Sequence, residues 1–274
     1  MHIPNRMQLT GKINFAGDCY GTNSTLRVGR GSLLLKGQYD VSAEAYQAKV
    51  VSRGFPLYVF LPKDSLSALT ASVQATGRGL DFLQTGSRLK AKGTIQRFSY
   101  GHIHLDSMRF DALLRGGHAV ANVIAQNRML AANTNLTADI LKRRVNATVK
   151  GTMEKLNLVY LTNGKDSTVL MAELNVKGTV APGAKSFGAS GELKNINIIT
   201  STMGYPADDV LFGFKTSTDS TQGYLKSGDL EARLHSNKPV EQIAERLTKF
   251  ADQLTKQLQA AHFDDKALAR YLPN

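Results

Sequence analysis

His102, His104 and Asp106 are the side chains of this sequence whose types and spacing come nearest to a metal-binding set. Residues two apart lie on one face of a β-strand, so two imidazoles and one carboxylate could reach the same ion. A metal site also needs its ligands and their hydrogen-bond partners to converge in space. Because an exposed polar strand face explains the same spacing, we predict no metal site and no cofactor.

Motifs of enzyme active sites are missing from the sequence. It contains no His-Glu-x-x-His, no Gly-x-Ser-x-Gly, no phosphate-binding loop and no dinucleotide-binding glycine motif. The carboxylates of Asp208-Asp209 and Asp264-Asp265 point apart, and we interpret these pairs as a turn and a helix cap. Acidic residues are too sparse on the predicted strands for a β-helical enzyme that acts on polysaccharide. We therefore predict no catalytic residue and no enzymatic activity. Cys19 is the single cysteine, so neither an internal disulfide nor a Cys-based zinc site can form.

The chain is strongly basic, with 34 Lys and Arg against 22 Asp and Glu and a formal net charge of +12. Such a balance raises the question of nucleic-acid binding. The basic residues are spread through the polar positions of the predicted strands and Trp is absent, so no stacking platform along a phosphate-tracking groove is visible. A solvated outer face is the favoured interpretation, and we predict no nucleic-acid partner. Anionic lipid headgroups could attract the same charges less specifically.

The length of 274 residues and the hydrophobic fraction of 42% are those of a globular chain that can bury a large core. The longest apolar runs, such as residues 57–61, are too short for a membrane-spanning helix. The first seven residues lack the pattern of a secretory signal. Charge balance and periodicity both change near Asn237, which predicts a β-rich segment over residues 1–237 and a helical segment over 238–274.

Alternation of apolar and polar residues dominates residues 1–237 and predicts antiparallel strands with one buried face. The clearest strands are predicted over residues 9–15, 69–77, 89–95, 145–153, 170–180 and 187–198, the last with a bulge after Lys194. Weaker strands are predicted over 26–35, 39–47, 98–105, 108–114, 119–125, 130–140, 211–215 and 225–234. Together they make about 15 strands joined by short turns.

The apolar positions of these strands are aliphatic and small. Their larger members are Leu9, Ile13, Phe15, Leu69, Val73, Leu89, Ile95, Val145, Val149, Met153, Leu170, Leu174, Val176, Val180, Leu193, Ile196 and Ile198. On composition alone, the packed core of a β-sandwich is the favoured interpretation. The functional alternative is a long trough for acyl chains, which recurrent Ala and Gly would keep open.

Two further patterns concern the architecture. Lys63-Asp64-Ser65 and Lys165-Asp166-Ser167 each precede a similar predicted strand about a hundred residues apart, which indicates an elongated array of like units. Apolar residues from Val240 to Leu258 recur every three or four positions and predict an amphipathic helix over about 239–260. A shorter helix is predicted after Asp264.

Several segments resemble the central region of the TamB proteins, large periplasmic members of the AsmA-like superfamily. The segments that carry the resemblance are residues 55–66, 69–73, 77–82, 98–102, 264–268 and 271–273. The resemblance implies a mainly β fold, an elongated antiparallel repeating β-groove (β-taco) with a C-terminal amphipathic helix. The chain lacks the N-terminal anchor and C-terminal domain of that family, so it resembles an internal segment with flanking parts of a longer chain.

The resemblance also implies a function. The expected protein is periplasmic, tethered to the inner membrane through a part missing here, and its aliphatic groove conducts phospholipid acyl chains between the inner and outer membranes. The expected partners are phospholipid and an outer-membrane assembly protein of the BamA/TamA type. The alternative is a scaffold or chaperone for the assembly and insertion of outer-membrane β-barrel proteins or autotransporters, which would use strand edges instead of the interior face.

Overall fold

The computed structural model describes residues 7–62, 65–101, 103–141, 144–162, 167–181, 186–240 and 243. Strands account for most of this part of the chain, as the alternating pattern predicts. The first nine strands and one short helix are β1 (Met7–Ala16), β2 (Cys19–Val28), β3 (Gly31–Asp40), β4 (Ala45–Pro56), α1 (Leu57–Phe60), β5 (Ala68–Arg78), β6 (Arg88–Arg97), β7 (Ser99–Tyr100), β8 (Ile103–His104) and β9 (Met108–Arg115).

The second half of the chain continues the same pattern of strands. Its elements are β10 (His118–Gln126), β11 (Leu130–Leu141), β12 (Arg144–Asn157), α2 (Val159–Thr162), β13 (Val169–Ala181), β14 (Ser186–Ile199), β15 (Gly204–Pro206), β16 (Val210–Thr216), β17 (Thr221–Ser227) and β18 (Leu230–Ser236). α1 and α2 are each a single turn long.

In the part of the chain that the structure describes, all the long strands belong to one antiparallel sheet of 16 strands. They follow each other in sequence order from β1 to β18, except that β15 pairs with β14 at the side and β7 and β8 form a separate two-stranded sheet. Each strand makes its principal contacts with its sheet neighbours. The described fold is therefore a nearly one-dimensional array, with β1 and β18 as its two edge strands.

Four of the weaker strand predictions were wrong because each spans a turn. The predicted strand over residues 26–35 is interrupted at Gly29-Arg30 and the one over 225–234 at Gly228-Asp229. Gly29 and Gly228 have φ of 58° and 53°, a conformation that glycine adopts without strain. A two-residue hairpin leaves apolar residues close on both sides, so composition does not reveal it. The predictions over 39–47 and 98–105 likewise span turns, at residues 41–44 and around Gly101.

The bulge predicted after Lys194 is confirmed. Asn195 has a φ of 51°, and the pairing of β13 with β14 shifts register between Met171 and Glu173. Register also shifts in the pairs β4–β5, β5–β6, β11–β12 and β12–β13. All these shifts lie on one side of the sheet, where the C-terminal ends of β4, β6 and β12 meet the N-terminal ends of β5, β11 and β13. These ends are joined by longer connections that contain α1, β7 and β8, α2, and β15. We call this side of the sheet, which is formed by the ends of successive strands and is distinct from the edge strands β1 and β18, the covered edge.

The covered edge holds most of the buried apolar side chains. They are Val28, Phe55, Ala125, Met129, Met153, Ala172 and Ile196. Phe60 of α1 stacks on Phe55 with ring centroids 5.5 Å apart. Asn127 fixes the next connection, because its amide donates to the carbonyl of Asp106 and its side-chain oxygen accepts from the backbone N–H of Leu130. Each irregular connection thus closes over the strand ends beneath it.

The two similar sequences, Lys63-Asp64-Ser65 and Lys165-Asp166-Ser167, occur in two of these connections. α1 and the following loop precede β5, and α2 and its loop precede β13. Ser65 and Ser167 are described, whereas Lys63, Asp64, Lys165 and Asp166 lie outside the described residues. The two similar sequences therefore occupy equivalent places in the chain, each between a one-turn helix and a long strand.

Of the predicted C-terminal helices, the described residues contain only Pro239, Val240 and Ile243. Val240 and Ile243 have helical conformation, and the Ile243 N–H donates to the carbonyl of Pro239 at 3.4 Å. The buried Thr221 hydroxyl donates to the carbonyl of Lys238 at 2.8 Å, which joins this start to β17. The rest of the predicted helix over 239–260 and the one after Asp264 lie outside the described residues.

From the sequence, recurrent glycine is expected to keep a trough open. Some glycines inside the strands instead make room for an aromatic ring on the neighbouring strand. The ring of Phe110 covers Gly93 on the neighbouring strand, and the ring of Tyr46 covers Gly77. A Cβ at Gly93 would lie 2.6 Å from Phe110, so the absent side chain makes room for the ring. In this arrangement an aromatic ring packs over a cross-strand glycine and fills the space that the missing side chain leaves.

Replacing Gly77 with Ala is expected to lower the free energy of unfolding by about 1–3 kcal/mol, because the new Cβ would overlap the Arg88 carbonyl oxygen and the Tyr46 hydroxyl. Urea denaturation followed by circular dichroism measures the change. Gly178→Ala is the matched control, since its Cβ would have its nearest neighbour, the Gly188 carbonyl oxygen, at 3.7 Å. Equal losses in the two variants would contradict the packing described here.

Candidate functional site

Strand pairing aligns the apolar positions of the whole sheet in rows that run across the strands. In the middle row, Ile13 is followed across successive strands by Thr22, Gly37, Ala48, Ala75, Ala91, Ala112, Ala121, Leu136, Val149, Val176, Gly191, Phe212, Leu225 and Ala232. We call the face that carries these residues the apolar face. It is continuous from β1 to β18.

The apolar face brings together the aliphatic positions named from the sequence. Leu9 and Phe15 flank Ile13 on β1, and Val73, Leu89 and Ile95 follow on β5 and β6. Val145, Val149 and Met153 of β12 pair with apolar positions of β13, which presents Ala172, Leu174, Val176 and Val180. Leu69 pairs with Phe55, Leu193 with Leu174, and Ile198 with Leu170, while Ile196 is buried at the bulge.

The apolar face is open instead of being a closed core. Most of its side chains are half-buried, and those of the edge strand are solvent-exposed, with Leu9 at 72% and Phe15 at 69%. In a β-sandwich a second sheet would cover these positions. Within the described ranges, the one buried cluster is Met153, Ala172 and Ile196 with its neighbours at the covered edge. The sandwich core favoured on composition does not describe this face.

The side opposite the covered edge is lined by tyrosines near the first strands. Tyr20, Tyr39 and Tyr46 are cross-strand neighbours in one row, and Phe15 meets Tyr20 edge to face with ring centroids 5.4 Å apart. The Tyr46 hydroxyl is buried without a hydrogen-bond partner, and burial raises the pKa of this phenol. A row of phenols beside aliphatic side chains suits a boundary between apolar and polar parts of a ligand.

The other face of the sheet is polar and contains depressions among its described residues. One of about 1020 Å³ lies over β13–β18 and is lined by Lys177, Lys215, Tyr224 and Arg233 among others. The second, of about 540 Å³, lies over β1–β5 around Lys36 and Lys49. The sequence pattern missed this grouping of basic residues. Lysines far apart in the chain become neighbours only through cross-strand register, which no single strand reveals.

The described residues do not bring the candidate metal ligands together. His102 lies outside the described residues, and the His104 ring packs edge-on against Tyr160 with centroids 5.2 Å apart. The Asp106 carbonyl accepts a hydrogen bond from Asn127. In the described ranges of the chain, no group of three His, Cys, Asp or Glu side chains is placed to hold a metal ion.

The adjacent acidic residues have local structural roles. Asp209 accepts a hydrogen bond from the backbone N–H of Asn195 at 3.2 Å, which fixes the bulge of β14. The Asp208 carbonyl accepts from the Ser227 hydroxyl. Asp264 and Asp265 lie outside the described residues.

Cys19 is exposed and its thiol donates a hydrogen bond to the Asp40 carboxylate, with sulfur and oxygen 3.6 Å apart. This hydrogen bond is the main cause that raises the pKa of Cys19, and desolvation and the charges of Asp40 and Asp18 add to it. Hydrogen bonds from the Ala43 backbone and the Ser42 hydroxyl in turn lower the pKa of Asp40. The thiol is therefore a weak nucleophile near neutral pH.

Comparisons with known proteins found no match: no family model, no curated protein and no solved structure is similar to this chain. No helix in the described part is long and apolar enough to cross a membrane. The two chemically different faces of the sheet are therefore the features that point to a function.

Asp40→Asn is expected to speed alkylation of Cys19, because it removes the carboxylate that stabilises the protonated thiol. The pH dependence of the reaction with iodoacetamide measures this, and the apparent pKa should fall. Asp18→Asn should produce a smaller change in the same direction, since Asp18 acts only through its charge. An unchanged rate in Asp40→Asn would show that the hydrogen bond is not formed in solution.

Proposed function

We propose that the protein binds phospholipid acyl chains along the apolar face and lets them move along the sheet. The observation that carries the proposal is the continuous, mostly aliphatic row from β1 to β18, which is half-buried across the middle strands and exposed at both ends. Monomeric soluble proteins rarely expose contiguous apolar patches larger than a few hundred Å². An apolar surface of this extent needs an apolar ligand, and the acyl chain matches its elongated form.

The physical basis of binding is burial of methylene groups. Each buried methylene contributes on the order of 0.8 kcal/mol, so an acyl chain laid across several strands is held without any specific polar contact. Neighbouring positions on the middle row differ little in chemistry, because most are Ala, Val, Leu or Gly. A chain can therefore slide between near-equivalent positions. The headgroup stays at the rim with Tyr20 and Tyr39.

The wider proposal is that the chain is a segment of a TamB-like protein in the periplasm. Strands about 4.8 Å apart give the sheet a length on the order of 70 Å, longer than a bilayer leaflet and shorter than a complete envelope bridge. In this proposal flanking parts of a longer chain extend the sheet and tether it to the inner membrane. At the end away from the inner membrane, the longer chain contacts an outer-membrane assembly protein of the BamA/TamA type.

Val149→Asp is expected to remove most co-purified phospholipid, because it places a charge in the middle row, where desolvation costs several kcal/mol. Native mass spectrometry of the purified protein, with lipid extraction from the same sample, measures the occupancy. Leu225→Asp tests the same row at a position where the leucine side chain is 38% exposed. Because a charge there remains in contact with water, we expect this variant to fold. Leu174→Asp extends the test toward the covered edge.

The matched control is Thr148→Asp, which adds the same charge next to Val149 but on the polar face. It should keep the lipid and the circular-dichroism spectrum of the unmodified protein. Equal lipid occupancy in folded Val149→Asp and Thr148→Asp would contradict the proposal. A lipid-free, folded and monodisperse starting protein would contradict it as well.

A second candidate function is that of a scaffold for outer-membrane β-barrel proteins. The observation in its favour is the edge strand β1, whose ten residues are all exposed and alternate between apolar and polar. Such an edge can accept a further strand by backbone pairing. The strand of a barrel protein has the same alternation and would extend both faces of the sheet.

In a Cys19→Ser background, a cysteine at Asn14 of β1 is expected to crosslink to an unfolded barrel polypeptide that carries a single cysteine. A cysteine at Thr137 of β11 should not, because β11 is paired on both sides. Mass spectrometry of the crosslinked products identifies the paired residues. Crosslinks of equal yield at the two positions would exclude edge pairing as the binding mode.

A further inference from the structure

The polar face of β1–β6 gathers every basic residue of these six strands. We call this surface the basic face, and its members are Lys12, Arg27, Lys36, Lys49, Arg53, Arg78, Arg88, Lys90, Lys92 and Arg97. All of these side chains are exposed. Asp40 is the one acidic residue in the six strands, and it is engaged by Ser42, Ala43 and Cys19.

Strand register sets like charges directly opposite each other on the basic face. Lys36 pairs with Lys49, and Arg88 pairs with both Arg78 and Arg115. Like charges in this position repel and destabilise a sheet. In the described part of the chain the ion pairs lie elsewhere, on β10–β11, β14 and β18. Among the described residues, Asp111 of β9 lies opposite Lys92 and offsets part of this repulsion, and an external anion would relieve the rest.

The depression of about 540 Å³ lies at the centre of the basic face. Lys36 and Lys49 line it together with the amides of Asn23, Gln38 and Gln47. Ammonium and amide groups are hydrogen-bond donors that suit phosphate oxygens. Among the described residues, no carboxylate lines this depression. Its chemistry is that of a phosphate-binding surface.

We propose that the basic face docks on a membrane surface that contains anionic phospholipid headgroups. The charges spread in two dimensions, over six strands and several rows, which matches a surface better than a single strand of nucleic acid. The aromatic residues of these strands, such as Tyr39 and Phe55, all lie on the apolar side of the register. Stacking of bases on this face is therefore excluded, and charge complementarity to headgroups remains.

This proposal is independent of acyl-chain binding, because it concerns the opposite face. The test is cosedimentation with vesicles of phosphatidylcholine alone or with 30 mol% phosphatidylglycerol, at 50 and 500 mM salt. We expect binding only to the anionic vesicles, and strong weakening at the higher salt. The triple variant Lys36→Gln, Lys49→Gln, Lys92→Gln should bind at least roughly tenfold more weakly.

The matched control is Lys150→Gln, Lys177→Gln, Lys226→Gln, which removes the same charge from the polar face of later strands. It should bind within about twofold of the unmodified protein, since basic-face side chains carry the interaction. Equal weakening in the two triple variants would overturn the proposal, because net charge alone would then explain binding. Circular dichroism confirms that both variants are folded.

Three other outcomes would also overturn the proposal. They are equal binding to vesicles of phosphatidylcholine alone, displacement from vesicles by millimolar inorganic phosphate at constant ionic strength, and tighter binding of a 30-nucleotide single strand than of vesicles. The Val149→Asp variant should bind anionic vesicles like the unmodified protein. Loss of lipid occupancy with retained docking, or the reverse, therefore separates the two proposals.

Discussion

Cross-strand register is the constraint on which this structure depends. A strand exposes alternate residues on opposite faces, so a slip of one residue would move all its apolar side chains to the polar side. Across the sheet the pairing keeps Ile13, Ala75, Val149 and Leu225 in one row, although more than two hundred residues separate the first from the last. The two chemically different faces follow from this alignment.

The covered edge makes the alignment compatible with irregular sequence. Bulges such as the one at Asn195 absorb extra residues near the strand ends, before they can disturb the middle rows. The connections that follow bury Phe55, Met153 and Ile196 and so supply the compact packing that the open face lacks. Stability is thus concentrated along one side of the sheet, while the middle remains accessible.

Alternation along each strand allowed much of the fold to be predicted from sequence. The strands over 145–153 and 170–180, the bulge after Lys194 and the shared face of Val149, Leu174 and Val176 all follow from a period of two. The hairpins at Gly29 and Gly228 could not be predicted in this way, because each turn is only two residues long. The grouping of Lys36 with Lys49 could not be predicted from sequence either, because it depends on which residues of two strands face each other.

Because the principal contacts of each strand are with its sheet neighbours, the fold has a mechanical consequence. If the chain were pulled at its two ends, the load would reach one pair of strands at a time, and the backbone hydrogen bonds of that pair would open in succession like a zipper. The outermost strands would detach first, while the interior pairs kept their alignment. A protein of this kind would yield in many small steps under tension and would lose its length gradually instead of rupturing at once.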